Sequence, residues 1–176
     1  KLGLSTPITA ATQEVGRYYE KADDRGPWGA MPGEASTEPQ AGCRRAYHLV
    51  ITDGYTSANG ARVLGNVYGR AGPVIPLADG KTWQYQPQAP YADGYSDSLA
   101  DTAMHYWNRD LRSDLTNKVP PVPGNEASWQ SVSQFIVGFG GTGVLDPQTD
   151  LPDLISGKKR WPGVNGVDDL WHAALN

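Results

Sequence analysis

Asp53 is the residue whose position points first to chemistry. It stands one place past residues 47–52, a short, mostly apolar run containing Val and Ile. That is the composition of a strand buried on both faces. Asp53-Gly54 breaks the run, and Thr56, Ser57, Asn59 and Gly60 follow. Gly and Asn accept the backbone angles of a sharp exit, while Ser, Thr and Asp offer oxygens. In parallel α/β sheets, ligands bind just beyond the carboxyl ends of strands. A carboxylate there is placed to hold a cation or a polar ligand. The other reading is a carboxylate that only closes a turn, and position alone does not choose between them.

Other groupings point to structure. Gly138, Gly140 and Gly143 fit the spacing G-x-G-x-x-G after an apolar run. Dinucleotide binding also needs a helix opening at the third Gly. Here Val144-Leu145-Asp146-Pro147 follows, and Pro is excluded from a helix interior. A tight strand exit is the better reading. Asp146, Asp150 and Asp153 lack the alternate ligands and closing Glu of a twelve-residue calcium loop, so turn and cap roles are expected. His48, His105 and His172 have no metal-pair spacing, and neither G-x-S-x-G nor H-E-x-x-H occurs. Nothing in the chain demands catalysis. The enzymatic alternative is a small hydrolase or transferase using Asp53 as acid, base or metal ligand.

These residues sit in a chain of 176, the size of one domain, with a formal net charge of −4. The charge and the absence of a basic run longer than Lys158-Lys159-Arg160 argue against a nucleic-acid partner. No apolar stretch approaches a membrane span. Gly (21) and Pro (14) make up a fifth of the chain, so much of it is loop. Cys43 is the only cysteine, which excludes an internal disulfide. It is either a small buried residue, the favoured reading, or half of a bridge to a segment elsewhere.

The elements that must position Asp53 follow from periodicity. A helix is expected from Pro7, fading near residues 21–24, with Thr6 as N-cap and Ile8, Thr12, Val15 and Tyr19 on one face. Residues 25–42 form a loop, which Trp28 is available to pin. Residues 61–95 read as a second irregular insertion, with short strands at 62–68 and 83–85. Both insertions are expected to be peripheral and to carry any partner specificity. The clearest helix is 96–111, capped by Ser96 or Ser98, with Leu99, Ala100, Ala103, Met104, Trp107 and Leu111 in one stripe. A second buried strand at 132–139 and a last helix at 167–175 complete the pattern. Two apolar runs separated by a helix predict one parallel α/β sheet.

Three stretches resemble one family when taken together. CRRAYHLVITDGYTS at 43–57, DTAMHYWNRDLRSDLTNKVPP at 101–121, and SQFIVGFGGTGVLD at 133–146 followed by DDLWHAALN at 168–176 are similar, in order, to the tip-associated PilC/PilY proteins of type IV pili. The resemblance implies a von Willebrand factor A-like domain, a doubly wound, mostly parallel α/β sheet that precedes a β-propeller in that family. It implies a non-enzymatic adhesion and protein-binding module acting in pilus assembly, surface attachment or sensing, in the periplasm and then at the pilus tip. The implied partners are minor pilins or other tip proteins and a host or surface receptor. The fold family often carries a metal-ion-dependent adhesion site for Mg²⁺ or Ca²⁺. In this chain Thr6 matches its Thr and Asp53 its later Asp, whereas no Asp-x-Ser-x-Ser loop occurs. A preceding segment, or a second chain, is therefore expected to complete both the metal shell and the sheet.

Overall fold

The apolar runs at 47–52 and 132–139 do form a parallel pair. In the computed structural model, which describes residues 6–54, 57, 59–164 and 166–175, β1 (Ala46–Thr52) pairs with the later strand Val132–Gly138, Ala46 opposite Val132 and Thr52 opposite Gly138. Two further strands, β2 (Ile75–Pro76) and β3 (Thr82–Trp83), form a small antiparallel hairpin, so Val132–Gly138 is β4. The helices are α1 (Ile8–Tyr19), α2 (Leu99–Trp107), α3 (Pro147–Ile155) and α4 (Val167–Ala173). The architecture is thus a small mixed α/β fold with two two-stranded sheets among the described residues.

Helices cover one face of the parallel pair. Val50 packs with Ile8 of α1, Leu99, Ala100, Ala103 and Met104 of α2, and Leu170 and Ala173 of α4, and Ile136 closes the same cluster. α1 lies against α2 closely enough that a Cβ on Gly16 would overlap the Tyr106 ring. This contact turns α1 from its expected face: Ile8, Thr9, Thr12, Gln13 and Gly16 are buried, and Val15 and Tyr19 only partly. Small residues let the helices approach, and size outweighs hydrophobicity there. Thr6 is not the N-cap. Pro7 occupies that position without a side-chain bond, and the Thr6 carbonyl accepts from Ile8 N at 2.8 Å.

The other face is bare, contrary to the expectation of burial on both sides. Tyr47, Leu49 and Ile51 of β1 and Phe135 and Val137 of β4 are exposed, as is Phe139 just beyond. Only the start of that face is screened, where Asn125 donates to Ser133 Oγ at 2.8 Å.

Two insertions differ in depth from the sequence reading. Residues 61–95 contribute Val67, Tyr68 and Tyr85 to the main core and Ile75 to a second cluster with Ala127 and Trp129, so this segment is not peripheral. Its hairpin forms at 75–83, and residues 62–68 form no strand. Their backbone N–H groups go to side chains instead: Arg62 N donates to Gln13 Oε1 of α1, Leu64 N and Gly65 N to Asp97 Oδ1, and Val67 N to Asp101 Oδ1. Trp28 does pin 25–42: it is fully buried, and its Nε1 donates to Tyr19 O at 2.8 Å. Cys43 is free and exposed, not the small buried residue expected.

α2 begins where Ser98 accepts from Asp101 N and Asp101 returns a bond to Ser98 N, a reciprocal capping box. It stops at Trp107, sooner than its apolar stripe predicts, although Leu111 is still buried beyond it. α3 is unforeseen: Pro147 suits a first helical position and Asp146 caps it through Gln148 N at 2.9 Å. α4 ends at Ala173, two residues short of expectation.

Candidate functional site

The carboxyl ends of β1 and β4 form the rim where ligand chemistry was expected. β1 ends at Thr52, whose Oγ1 accepts from Gly54 N at 3.3 Å, and Gly54 turns the chain with φ +101°. Asp53 is exposed, and so is Thr6. Among the described residues no hydrogen bond joins them; Thr56, expected to add an oxygen, lies outside those residues. The expected Mg²⁺ or Ca²⁺ site is corrected here. Among the described residues no group of three or more His, Cys, Asp or Glu is arranged to hold a metal ion. The physical reason is donor count: Mg²⁺ takes about six oxygens and Ca²⁺ six to eight, and one exposed carboxylate and one hydroxyl leave nearly the whole shell to water.

The Gly run at 138–143 is explained by packing. After β4 the chain passes over the start of α4, where the Asp168 carboxylate accepts from Val144 N at 2.8 Å and Leu145 N at 3.0 Å. A Cβ on Gly143 would overlap that carboxylate, and one on Gly141 would press Val167 at 2.9 Å. These glycines permit close approach of backbone to α4. Asp168→Ala is expected to lower stability by about 1–2 kcal/mol in chemical denaturation and to speed amide exchange at Val144 and Leu145 first. Unchanged exchange there would mean the loop is held by other contacts.

Two adjoining cavities, about 230 and 390 Å³, open beside this turn and share Gly141, Pro147, Val167 and Trp171. The one against Gly54 is lined by apolar side chains and glycine and holds no titratable group. In the other, Asp168 is committed to two backbone N–H groups and Asp146 to the α3 cap. Nothing in either lining favours the hydrolase or transferase reading, which requires converging titratable groups.

Carboxylates do gather elsewhere, at the start of α2. Asp101 is fully buried, and its Oδ1 accepts from Val67 N at 2.6 Å. Asp169 of α4 accepts from Leu99 N and Ala100 N, each at 3.1 Å. Asp97, at φ +61°, accepts from Leu64 N and Gly65 N. All three accept from backbone N–H groups, which is structural work. Near them His172 lies flat between Trp161 and Tyr68, at 4.1 and 4.4 Å between ring centroids. Its Nε2 is 2.8 Å from Tyr91 O, and its Nδ1 is 3.4 Å from Asp93 Oδ2. Burial pushes the Asp93 carboxyl up to about 6 and the His172 imidazole down to about 4. Asp93 also lines a cavity of about 620 Å³ with Tyr95, Lys159, Arg160 and Trp161. Lys159 there is paired with Asp150. The sequence marked none of Asp93, Asp101 or Asp169 as special. Their partners are far along the chain, and only the Ser98-x-x-Asp101 spacing carried a local signal.

Among the described residues, the features most open to a partner are therefore apolar: the bare face of the parallel pair and the cavity beside its strand ends. The chain is 34% identical, over 97% of its length, to the type IV pilus biogenesis factor PilY1 of Pseudomonas aeruginosa strain PAO1. It is 32% identical, over 99% of its length, to PilY1 of strain PAK, and 30% identical, over 97%, to that of strain UCBPP-PA14. The chain spans about a sixth of the length of these curated relatives, 17% of the first two and 16% of the third. No family model matches the chain. No solved structure matches it either. Among the described residues, no helix is long and apolar enough to cross a membrane.

Proposed function

We propose that this chain is a non-enzymatic module of a larger type IV pilus biogenesis factor, acting in pilus assembly and surface attachment. The observation that carries the reading is similarity to PilY1 over nearly the whole chain. The module has a von Willebrand factor A-like fold; the parallel β1–β4 pair, with α2 between its strands in sequence and helices packed on it, supports this. It works in the cell envelope, first in the periplasm and then at the pilus tip. Its partners are minor pilins or other tip proteins and a surface receptor. Thr6 and Asp53 lie on the rim that contributes to partner contact, as exposed polar groups without a metal. Polypeptide outside these residues completes the sheet.

The test is an in-frame deletion of this segment in the encoding gene of a piliated strain. Parent-protein level is followed by immunoblot, surface pili by electron microscopy and attachment by cell counts. Loss of surface pili or of attachment at an unchanged protein level is expected. Normal piliation together with normal attachment would reject the role.

A further inference from the structure

The bare face of the β1–β4 sheet has a definite chemistry. Tyr47, Leu49 and Ile51 alternate along β1, and Phe135 and Val137 stand opposite Leu49 and Ile51 on β4. Tyr47 and Phe135 touch, ring centroids 5.6 Å apart. Phe139 extends the row past the strand, its N–H bonded to Thr52 O. Leu49 is 57% exposed and Val137 42%. Single exposed apolar residues are ordinary, but a contiguous two-strand face of them marks an interaction surface. Parallel sheets are covered on both faces, typically by helices. Here all the covering helices lie on the Val50 side, and each strand has one edge with no strand partner among the described residues.

We propose that an amphipathic helix from another stretch of the same polypeptide packs on the Tyr47–Leu49–Ile51–Phe135–Val137 face, and that a strand joined to it pairs with a free edge of the β1–β4 sheet. This deepens the reading of the chain as a module of a larger protein. Two observations favour this occupant over a second copy. The relatives have roughly five times as much chain again outside the matched part. A second copy would lay sheet against sheet and leave both open edges unpaired, whereas a helix with its strand satisfies the face and an edge together.

The experiment uses the full-length protein as its gene encodes it. Leu49→Cys and Val137→Cys are made in a Cys43→Ser background, with Val63→Cys as an exposed benchmark, because Val63 is 85% exposed. Labelling by a maleimide is followed peptide by peptide by mass spectrometry. At positions 49 and 137 it is expected to run about 100-fold slower than at 63, and equally fast at all three in denaturant. Rates within about threefold of the benchmark, on the scale of ordinary surface variation, would overturn the proposal. So would protection that disappears on dilution, the signature of a second copy. Amide exchange of the unsubstituted protein guards against a misfolded variant. It should show protection of the edge amides of β1 or β4 that do not bond the other strand, and exchange of both sets at loop rates overturns the proposal. Neither readout involves pili, so a negative result here leaves the assembly role standing, and the reverse also holds.

Discussion

Asp101→Ala is expected to lower the unfolding free energy by about 3 kcal/mol, seen as a lower urea midpoint. The residue performs two tasks at once. It closes the capping box: Oδ2 accepts from Ser98 N and from Ser98 Oγ, both at 3.0 Å, while Asp101 N donates to Ser98 Oγ at 2.9 Å. Ser98 remains the N-cap in the variant, so the loss here is the reciprocal bond to Ser98 N, which costs about 1 kcal/mol. Oδ1 also holds Val67 N, and that N–H becomes a buried donor without an acceptor in the variant, a cost of about 1–3 kcal/mol. Val67 and Tyr68 belong to the main core, so the damage reaches the cluster that supports β1. Asp101→Asn retains one carbonyl oxygen for Val67 N and should lose about half as much. Equal losses in the two variants would show that negative charge at the start of α2 matters more than the bond to Val67.

What the sequence revealed follows the range of the interactions involved. The parallel pairing of β1 with β4 was readable because each strand is a short, mostly apolar run and α2 between them has a clean stripe. Burial on both faces was inferred from the same runs. The inference failed at Tyr47, Leu49, Ile51, Phe135 and Val137 because, among the described residues, helices pack only on the Val50 face. For α1 the apolar spacing gave the element but not its face, since Gly16 against Tyr106 decides the rotation. α3 was hidden because Pro147 and Pro152 read as breakers, although one starts the helix and the other sits in its short interior. Among the acids, Asp53 was singled out by its place after a strand. Asp97, Asp101, Asp168 and Asp169 bind N–H groups that, apart from the local capping box, lie 23 to 70 residues away, which no local pattern encodes.

Asp93→Asn is expected to raise stability at pH 7–8 by about 3 kcal/mol and to leave it unchanged below about pH 4. The reason begins with the hydrogen bonds of His172. A carbonyl only accepts, so the ring nitrogen 2.8 Å from Tyr91 O carries the proton. In the neutral ring Nδ1 is then a lone pair, and it faces the Asp93 carboxylate at 3.4 Å. Both side chains are nearly sealed from solvent, at 3% and 4% exposure. Two acceptors facing each other need a proton between them, and the raised Asp93 carboxyl supplies it. A folded value near 6, above the unfolded value, means that this stabilisation is complete below the unfolded carboxyl range and is lost as pH rises through 6. His172 works in the opposite sense: its folded value near 4 contributes stability that is present above 6.5 and lost as pH falls through 4. Between about pH 4 and 6 the two slopes cancel in the unsubstituted protein, because folded and unfolded states bind the same number of protons at this pair. An Asn at 93 can turn its amide toward Nδ1 and donate at every pH, while its oxygen keeps the bond from Tyr95 N at 3.0 Å. Urea unfolding of both proteins from pH 4 to 8 is the test. The Asn variant should gain on the unsubstituted protein from pH 4 to about 6, hold that gain to pH 8, and alone show the His172 slope between 6.5 and 4. A constant difference across the range would mean that Asp93 does not carry the proton. A loss of stability at pH 8 would mean that the ionised carboxylate has a cationic partner.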